Sequence, residues 1–287
     1  MPVFEMLIKD IVGFFTTLFY RFYHQGQLPV VVVFPDFPSK KTTIAKICKM
    51  HKYRLTNRPI QADLVIYFED STHGDTKTIE RNYGNRKIIN RNCTDISKIK
   101  VDRVHQHVFG YNTCIDPLTY TGIALCKSDD NAKHDGEQIE CPIPQPDPRK
   151  IYQVIIDNTV SADEVVDMRV PVYGDSIPLV YLKYKKMNVR YTNVVHRSTL
   201  HATNDLLTAE EQKTILAFAK GMGADWCELD ILRNKTNGLI YIVDLNKTPY
   251  GPPAELAEKE KAVTLLATAF QDNFVSNTLY SHTSSTK

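Results

Sequence analysis

Of the features that would assign this 287-residue chain to a class at once, most are missing. Six cysteines are scattered with no CxxC pair and no metal-ligand spacing, which excludes a thiolate metal centre of the usual kind. In a chain long enough to bury a sizeable core they read as reduced thiols of a cytoplasmic protein. A net charge of +2, with no basic stripe and no recognisable module, excludes a nucleic-acid partner. No apolar run is long enough to span a bilayer. The longest uncharged stretch near the N-terminus, Ile11 to Tyr20, has ten residues, where a spanning helix needs about 20. A positive n-region and a small-residue cleavage site are also lacking, against a signal peptide. The segment Val3 to Tyr23 is therefore read as a buried amphipathic helix, rather than one lying on a membrane with Phe14, Phe15, Phe19 and Phe22 inserted. There is no internal repeat.

What is present is an α/β pattern. Val30 to Phe34 is a continuous apolar run of the kind a strand covered on both faces shows. An amphipathic helix from Thr42 to His51 follows, then strands at Asp63 to Phe68 and Arg86 to Asn90. This alternation predicts a small parallel-sheet domain over residues 28–103, after an N-terminal helix within 1–27. The texture then changes, and a second domain is expected over 104–280, with a frayed tail at 281–287. Strands are expected at Gly122 to Lys127, Ile151 to Ile156, Val165 to Val172 and Ile177 to Tyr184, the last pair joined through Gly174-Asp175. The four prolines from Pro142 to Pro148 read as a stiff loop within that domain. Thr208 with Glu211 forms a capping-box signature for a helix ending at Gly221. Trp226 to Leu232 and Leu239 to Leu245 are strands, and a final helix is expected from Ala254 to about Phe274.

The densest chemistry lies on those last two strands. Alternate residues of a strand share a face, so Asp244 and Asn246 point together, and Asp230 on the neighbouring strand can join them. Two carboxylates and an amide oxygen make a hard, all-oxygen set suited to Mg²⁺ held jointly with phosphates. A bare Asp-x-Asn reads better as a strand end before a turn at Pro249. The acidic strand 14 residues upstream favours the metal set.

These residues resemble the ATP-grasp superfamily, in particular the ribosomal-protein glutamate ligases and the D-alanine–D-alanine ligases. The resemblance runs over roughly residues 95–260 and rests on an Asp on one strand, then an acidic residue-x-Asn on the next, then Pro. It implies ATP and Mg²⁺ as cofactors, with Asp230, Asp244 and Asn246 as metal ligands. Asp167-Met168-Arg169-Val170 leading to Lys183 is similar to a second family stretch. It implies that Asp167 lies near the ribose, and that Arg169 and Lys183 face the phosphates or the reacting centre. Lys127 matches a lysine at the end of a lid strand that contacts phosphates, and Lys98 or Lys100 matches a second. Tyr152 to Ile156, with Gln153 and Ile156, corresponds to the hinge that pairs with the adenine edge.

The fold class implied is α/β, a small parallel-sheet domain followed by an ATP-grasp domain with a reduced lid. Relatives carry a helix between lid loop and hinge strand, and few residues are available for one here. The lid loop has a single glycine, and Asp129, Asp130 and Asp135 are expected to face a triphosphate. Asp stands at 244 where the family has Glu, and Glu228 stands where D-alanine ligases have a substrate-binding Arg. The implied activity is a carboxylate–amine ligase working through an acylphosphate on a small-molecule, peptide or glycan substrate, with Arg169, Lys183 and Arg233 stabilising the developing charge. The alternatives are a phosphotransferase acting on a hydroxyl and a non-catalytic nucleotide-binding module.

Overall fold

The computed structural model describes residues 28–276 apart from positions 59, 60, 85, 132 and 134. The expected N-terminal helix and the frayed tail lie outside the described residues. Three sheets form. The first is four-stranded and parallel, in the order β2-β1-β3-β4, with β1 Val30–Pro35, β2 Arg54–Thr56, β3 Leu64–Phe68 and β4 Ile88–Ile89. Its crossover helices are α1 Thr43–His51 and α2 Lys77–Tyr83. Strand β3 is buried at every position, as an apolar run inside a parallel sheet must be.

Helix α3, Lys98–Phe109, follows and spans the expected domain boundary. It is capped by Ser97, whose hydroxyl accepts from the Lys100 amide, and is closed by Gly110 in the left-handed region. The second sheet has three strands, β6-β5-β7, with β5 Gly122–Ser128, β6 Glu137–Cys141 and β7 Lys150–Val154, and among the described residues no helix stands between them. The proline-rich segment is the loop from β6 to β7. The third sheet is antiparallel, β10-β9-β8-β11-β12, built from β8 Glu164–Tyr173, β9 Val180–Lys186, β10 Arg197–His201, β11 Trp226–Arg233 and β12 Ile240–Asn246. Helix α4, Ala209–Gly221, carries the expected capping box of Thr208 and Glu211. The last helix, α5, runs Lys259–Phe270, later than Ala254, because Pro252 and Pro253 and the turns after them precede it. No described helix is long and apolar enough to cross a membrane.

One core cluster joins the parallel sheet and α1 to Tyr173, Tyr181 and Trp226 of the antiparallel sheet and to α5. The join is fixed by Asn90, fully buried in the left-handed region that asparagine tolerates (φ 62°). Its side-chain oxygen accepts from the amides of Asp225 and Trp226 at 2.9 and 2.8 Å, and its Nδ2 donates to the Trp226 carbonyl at 2.7 Å. The end of β4 is thereby pinned to the start of β11.

On the inner face of α3, His105 is fully buried against Phe109, with ring centroids 4.2 Å apart, and against Tyr111 and Tyr241. Neither ring nitrogen has a hydrogen-bond partner, and burial pushes the pKa down to about 4. A histidine whose folded pKa lies below its unfolded value takes up a proton more readily when unfolded. Its contribution is therefore lost as pH falls from about 6.5 towards 4, by about 2–3 kcal/mol. His105→Phe should stabilise the protein and remove that part of the acid slope. Denaturant unfolding at pH 7, 5.5 and 4 checks this.

Candidate nucleotide-binding site

Between the three-stranded sheet and the antiparallel sheet lies a cleft. It is lined on one side by Lys127, Gln153 and Ile156, on the other by Asp167, Asp230 and Asp244, and by Lys98 at the end of α3. Five residues expected at a nucleotide, and two of the three expected at a metal, therefore share one cavity.

Asp230 and Asp244 are directly paired across β11 and β12, which puts both carboxylates on one face. Their environments are opposite. Asp230 accepts from Arg169 Nε and Nη2, each at 3.0 Å, and from Lys183 Nζ at 2.8 Å. Burial alone would raise its pKa, but the charges and hydrogen bonds of Arg169 and Lys183 overcome this and hold it well below the usual carboxylate range. Asp244 has no such cation in contact. Its Oδ1 is buried with no hydrogen-bond partner, and burial, with Asp230 beside it, lifts its pKa to about 6. The charges of Lys98 and Lys127 act on it in the other direction. Lys127 is itself pushed down to about 8 by burial and by Lys98. Two lysines and an unsatisfied carboxylate thus face one another across the cleft.

Asn246 shares the face of Asp244, but its side-chain oxygen accepts from the Thr248 amide at 2.8 Å and hydroxyl at 3.2 Å, closing the turn before Pro249. Among the described residues no group of three or more His, Cys, Asp or Glu is placed to cage a metal. The donor set fits an ion that takes one or two carboxylates from protein and the rest from phosphate or water, which is how magnesium is held beside nucleotides.

One residue expected at the site stands elsewhere. Arg233 is not at the site. It lies on β11 at odd spacing from Asp230, so it faces away, and it pairs with Glu211 at 2.7 Å and donates to the carbonyls of Leu206 and Gly238. Arg233→Ala should cost about 1–3 kcal/mol of stability and leave nucleotide affinity unchanged, measured by thermal unfolding and calorimetry on the same variant. Arg169 and Lys183 meet the cleft through Asp230, to which both are bonded, and of their side-chain nitrogens only Arg169 Nη1 is not bonded to it. Of the lid aspartates, Asp135 lines the cleft, where it accepts from the Ser128 amide and hydroxyl, while Asp129 caps α3, its carboxylate accepting from the Ile99 amide and its carbonyl from the Lys98 amide.

Sequence reasoning reached Gln153, Ile156 and Asp167 but missed the residues that hold them. Asp167 is paired with Lys185 at 2.7 Å and accepts from Asn158 Nδ2 at 2.9 Å. Arg190 donates to Asn158 Oδ1 and to the Ile156 carbonyl, both at 2.9 Å. Lys185 was within reach of period-two reasoning, standing two residues from Lys183 on β9. Arg190 lies in a turn with no such signal. Thr113 and Asp102 were missed as well: Gln153 donates to Thr113, whose amide and hydroxyl donate to buried Asp102 at 2.8 and 2.6 Å, so the hinge strand is held from behind.

No protein-family model matches the sequence, and no curated protein does. Solved structures do match in fold. D-alanine–D-alanine ligase from Bacillus anthracis is 12% identical, with a TM-score of 0.55 over 90% of this chain and 98% of that one. The ATP-grasp ligase PsnB, solved with a minimal precursor, is 11% identical, with a TM-score of 0.54 over 86% of this chain and 99% of that one. The VanG D-Ala:D-Ser ligase from Enterococcus faecalis is 10% identical, with a TM-score of 0.54 over 86% and 98%. PsnB has also been solved with Mg and ADP, and the B. anthracis ligase with ATP. The chain has the ATP-grasp fold.

Proposed function

We propose that this protein is an ATP- and Mg²⁺-dependent ligase that activates a carboxylate as an acylphosphate and joins it to an amine. One observation carries the reading. Lys98 and Lys127 face the Asp230–Asp244 pair across a single cleft, with the hinge at Gln153 and Ile156 and the buried acid Asp167 farther along it.

In this reading the backbone beyond β7 holds the base and Asp167 the ribose side, and Lys98 and Lys127 take the phosphate oxygens. Asp244 and Asp230 would hold magnesium, with Asn246 beside them. The ion would supply charge neutralisation at the phosphates. Asp230 also fixes Arg169 and Lys183 beside the reacting centre, so their charge needs no reorganisation as negative charge develops. Arg169 Nη1 is the one guanidinium nitrogen not bonded to Asp230, and it is the donor assigned to the transferring group or the carboxylate. No protein nucleophile is required. The neighbours PsnB and the D-alanine ligases, named as ligases, support this chemistry over transfer to a hydroxyl.

Arg169→Lys keeps the charge and loses the fork. Turnover should fall by about 10²-fold or more with little change in nucleotide affinity. ADP and phosphate release, read with mass spectrometry of the products, is the assay. Release of both ADP and phosphate with an amide product supports the ligase. ADP with a phosphorylated hydroxyl and no free phosphate would replace it with a phosphotransferase. Turnover equal to wild type would remove Arg169 from the reaction.

A further inference from the structure

On the three central strands the cleft is left behind at the Asp230 row. Leu232 and Asp167 line the cleft, Asp230 and Arg169 stand at its edge, and Glu228 comes next on β11, opposite Pro171 of β8 and Asn246 of β12. Glu228 is 2% exposed, and neither of its carboxylate oxygens has a hydrogen-bond partner. Its one ion contact is Arg169 Nη1 at 3.7 Å, too long for a hydrogen bond, and the remainder of that guanidinium is given to Asp230. A carboxylate in such a place is disfavoured against an apolar residue of the same volume, so packing does not account for it.

Another unsatisfied group lies nearby: the Tyr181 hydroxyl, on the β9 residue paired with Arg169, is buried without a partner. Tyr181 and Lys46 both feel the charge of Glu228. The cover is the loop that leaves β12. The Thr43 amide donates to the Pro249 carbonyl at 2.8 Å and Lys46 Nζ to the Tyr250 carbonyl at 2.7 Å. Gly251 (φ 78°) approaches so closely that a Cβ there would stand 2.7 Å from Thr43 Oγ1.

We propose that Glu228, with the Tyr181 hydroxyl near it, is the subsite that receives the primary amine joined by this ligase; the inference rests on the ligase reading above. A protonated or neutral primary amine brings two or three N–H donors, which suit two unsatisfied carboxylate oxygens and a hydroxyl. An acceptor presenting a carboxylate at this point would bring these oxygens no N–H donor. The position is also chemically apt, since it adjoins Asp230 on the side opposite the nucleotide cleft. From there the nitrogen, once in its neutral form, attacks: a C–N bond forms as the C–O bond to phosphate breaks, phosphate leaves, and the nitrogen gives its extra proton to solvent. Loading requires the loop Lys247 to Gly251 to lift, as active-site loops do.

The test uses the full chain with Mg·AMPPNP and titrates cadaverine, glycinamide and acetate by calorimetry into wild type, Glu228→Gln and Glu228→Leu. Both amines should bind wild type and acetate should not. Both variants should bind the amines at least about tenfold more weakly while keeping nucleotide affinity. Glu228→Leu should also melt no lower than wild type, because it removes a buried charge without stranding Arg169. Amine binding equal in wild type and variants, acetate binding as well as the amines, or no amine binding to a protein that binds the nucleotide would each overturn the subsite. Failure of wild type to bind Mg·AMPPNP would instead overturn the ligase reading, and the subsite with it.

Discussion

Asp230→Ala is expected to destabilise the protein by about 3–5 kcal/mol, the usual cost of stranding buried cations, and to abolish Mg·nucleotide binding. The carboxylate carries three hydrogen bonds from Arg169 and Lys183, and Lys183 is only 5% exposed. For a chain of this size that loss corresponds to a fall in melting temperature of roughly 6–20 °C. The effect should hold across the acid range. Asp230's folded pKa is depressed, so its contribution is present above the unfolded value of about 3.9 and is lost only as pH falls far below it. Thermal unfolding of both proteins at pH 5 and pH 7 should show the same gap, and a gap near zero would mean that Arg169 and Lys183 find other partners.

Asp244→Asn should do the reverse to stability while being as damaging to binding. The same residue type, directly across the same pair of strands, has an orphaned oxygen in place of three donors. Its folded pKa, lifted to about 6 by burial and Asp230, exceeds the unfolded value. Ionising it therefore costs stability that is present below about pH 4 and lost as pH rises towards 6. The amide removes that cost, so the variant should be more stable at pH 7 by about 1–2 kcal/mol, with a flatter profile between pH 4 and 6. Magnesium-dependent nucleotide affinity should fall at least about tenfold, since a coordinating charge is lost. A variant less stable than wild type would show that Asp244 is held by contacts other than those described.

The opposed behaviour of these two aspartates marks how far the sequence could be read. Period-two alternation suffices to put Asp230, Asp244 and Asn246 on one face, and the capping box at Thr208 and the apolar runs of β1 and β3 are local signals that the fold obeys. Which aspartate is neutralised and which is left bare depends on β8 and β9, strands tens of residues away, and no local pattern carries that. Arg233 shows the same rule neglected, because its odd spacing from Asp230 already turned it to the other face. Helix α3 was legible and missed: Ser97 caps it, Gly110 ends it, and Val101, Val104 and Val108 recur at helical spacing. Strand β6, Glu137–Cys141, has no such signal, since its sequence is mostly polar and it lies at the edge of a three-stranded sheet.

We propose that the cleft between Lys98, Lys127 and the Asp230–Asp244 pair binds a nucleoside triphosphate with magnesium. Calorimetric titration of the wild-type protein with AMPPNP, with and without Mg²⁺, decides this. One nucleotide per chain, bound tightly with Mg²⁺ and at least about tenfold more weakly in EDTA, is the predicted result. No binding, or binding indifferent to magnesium, would contradict it.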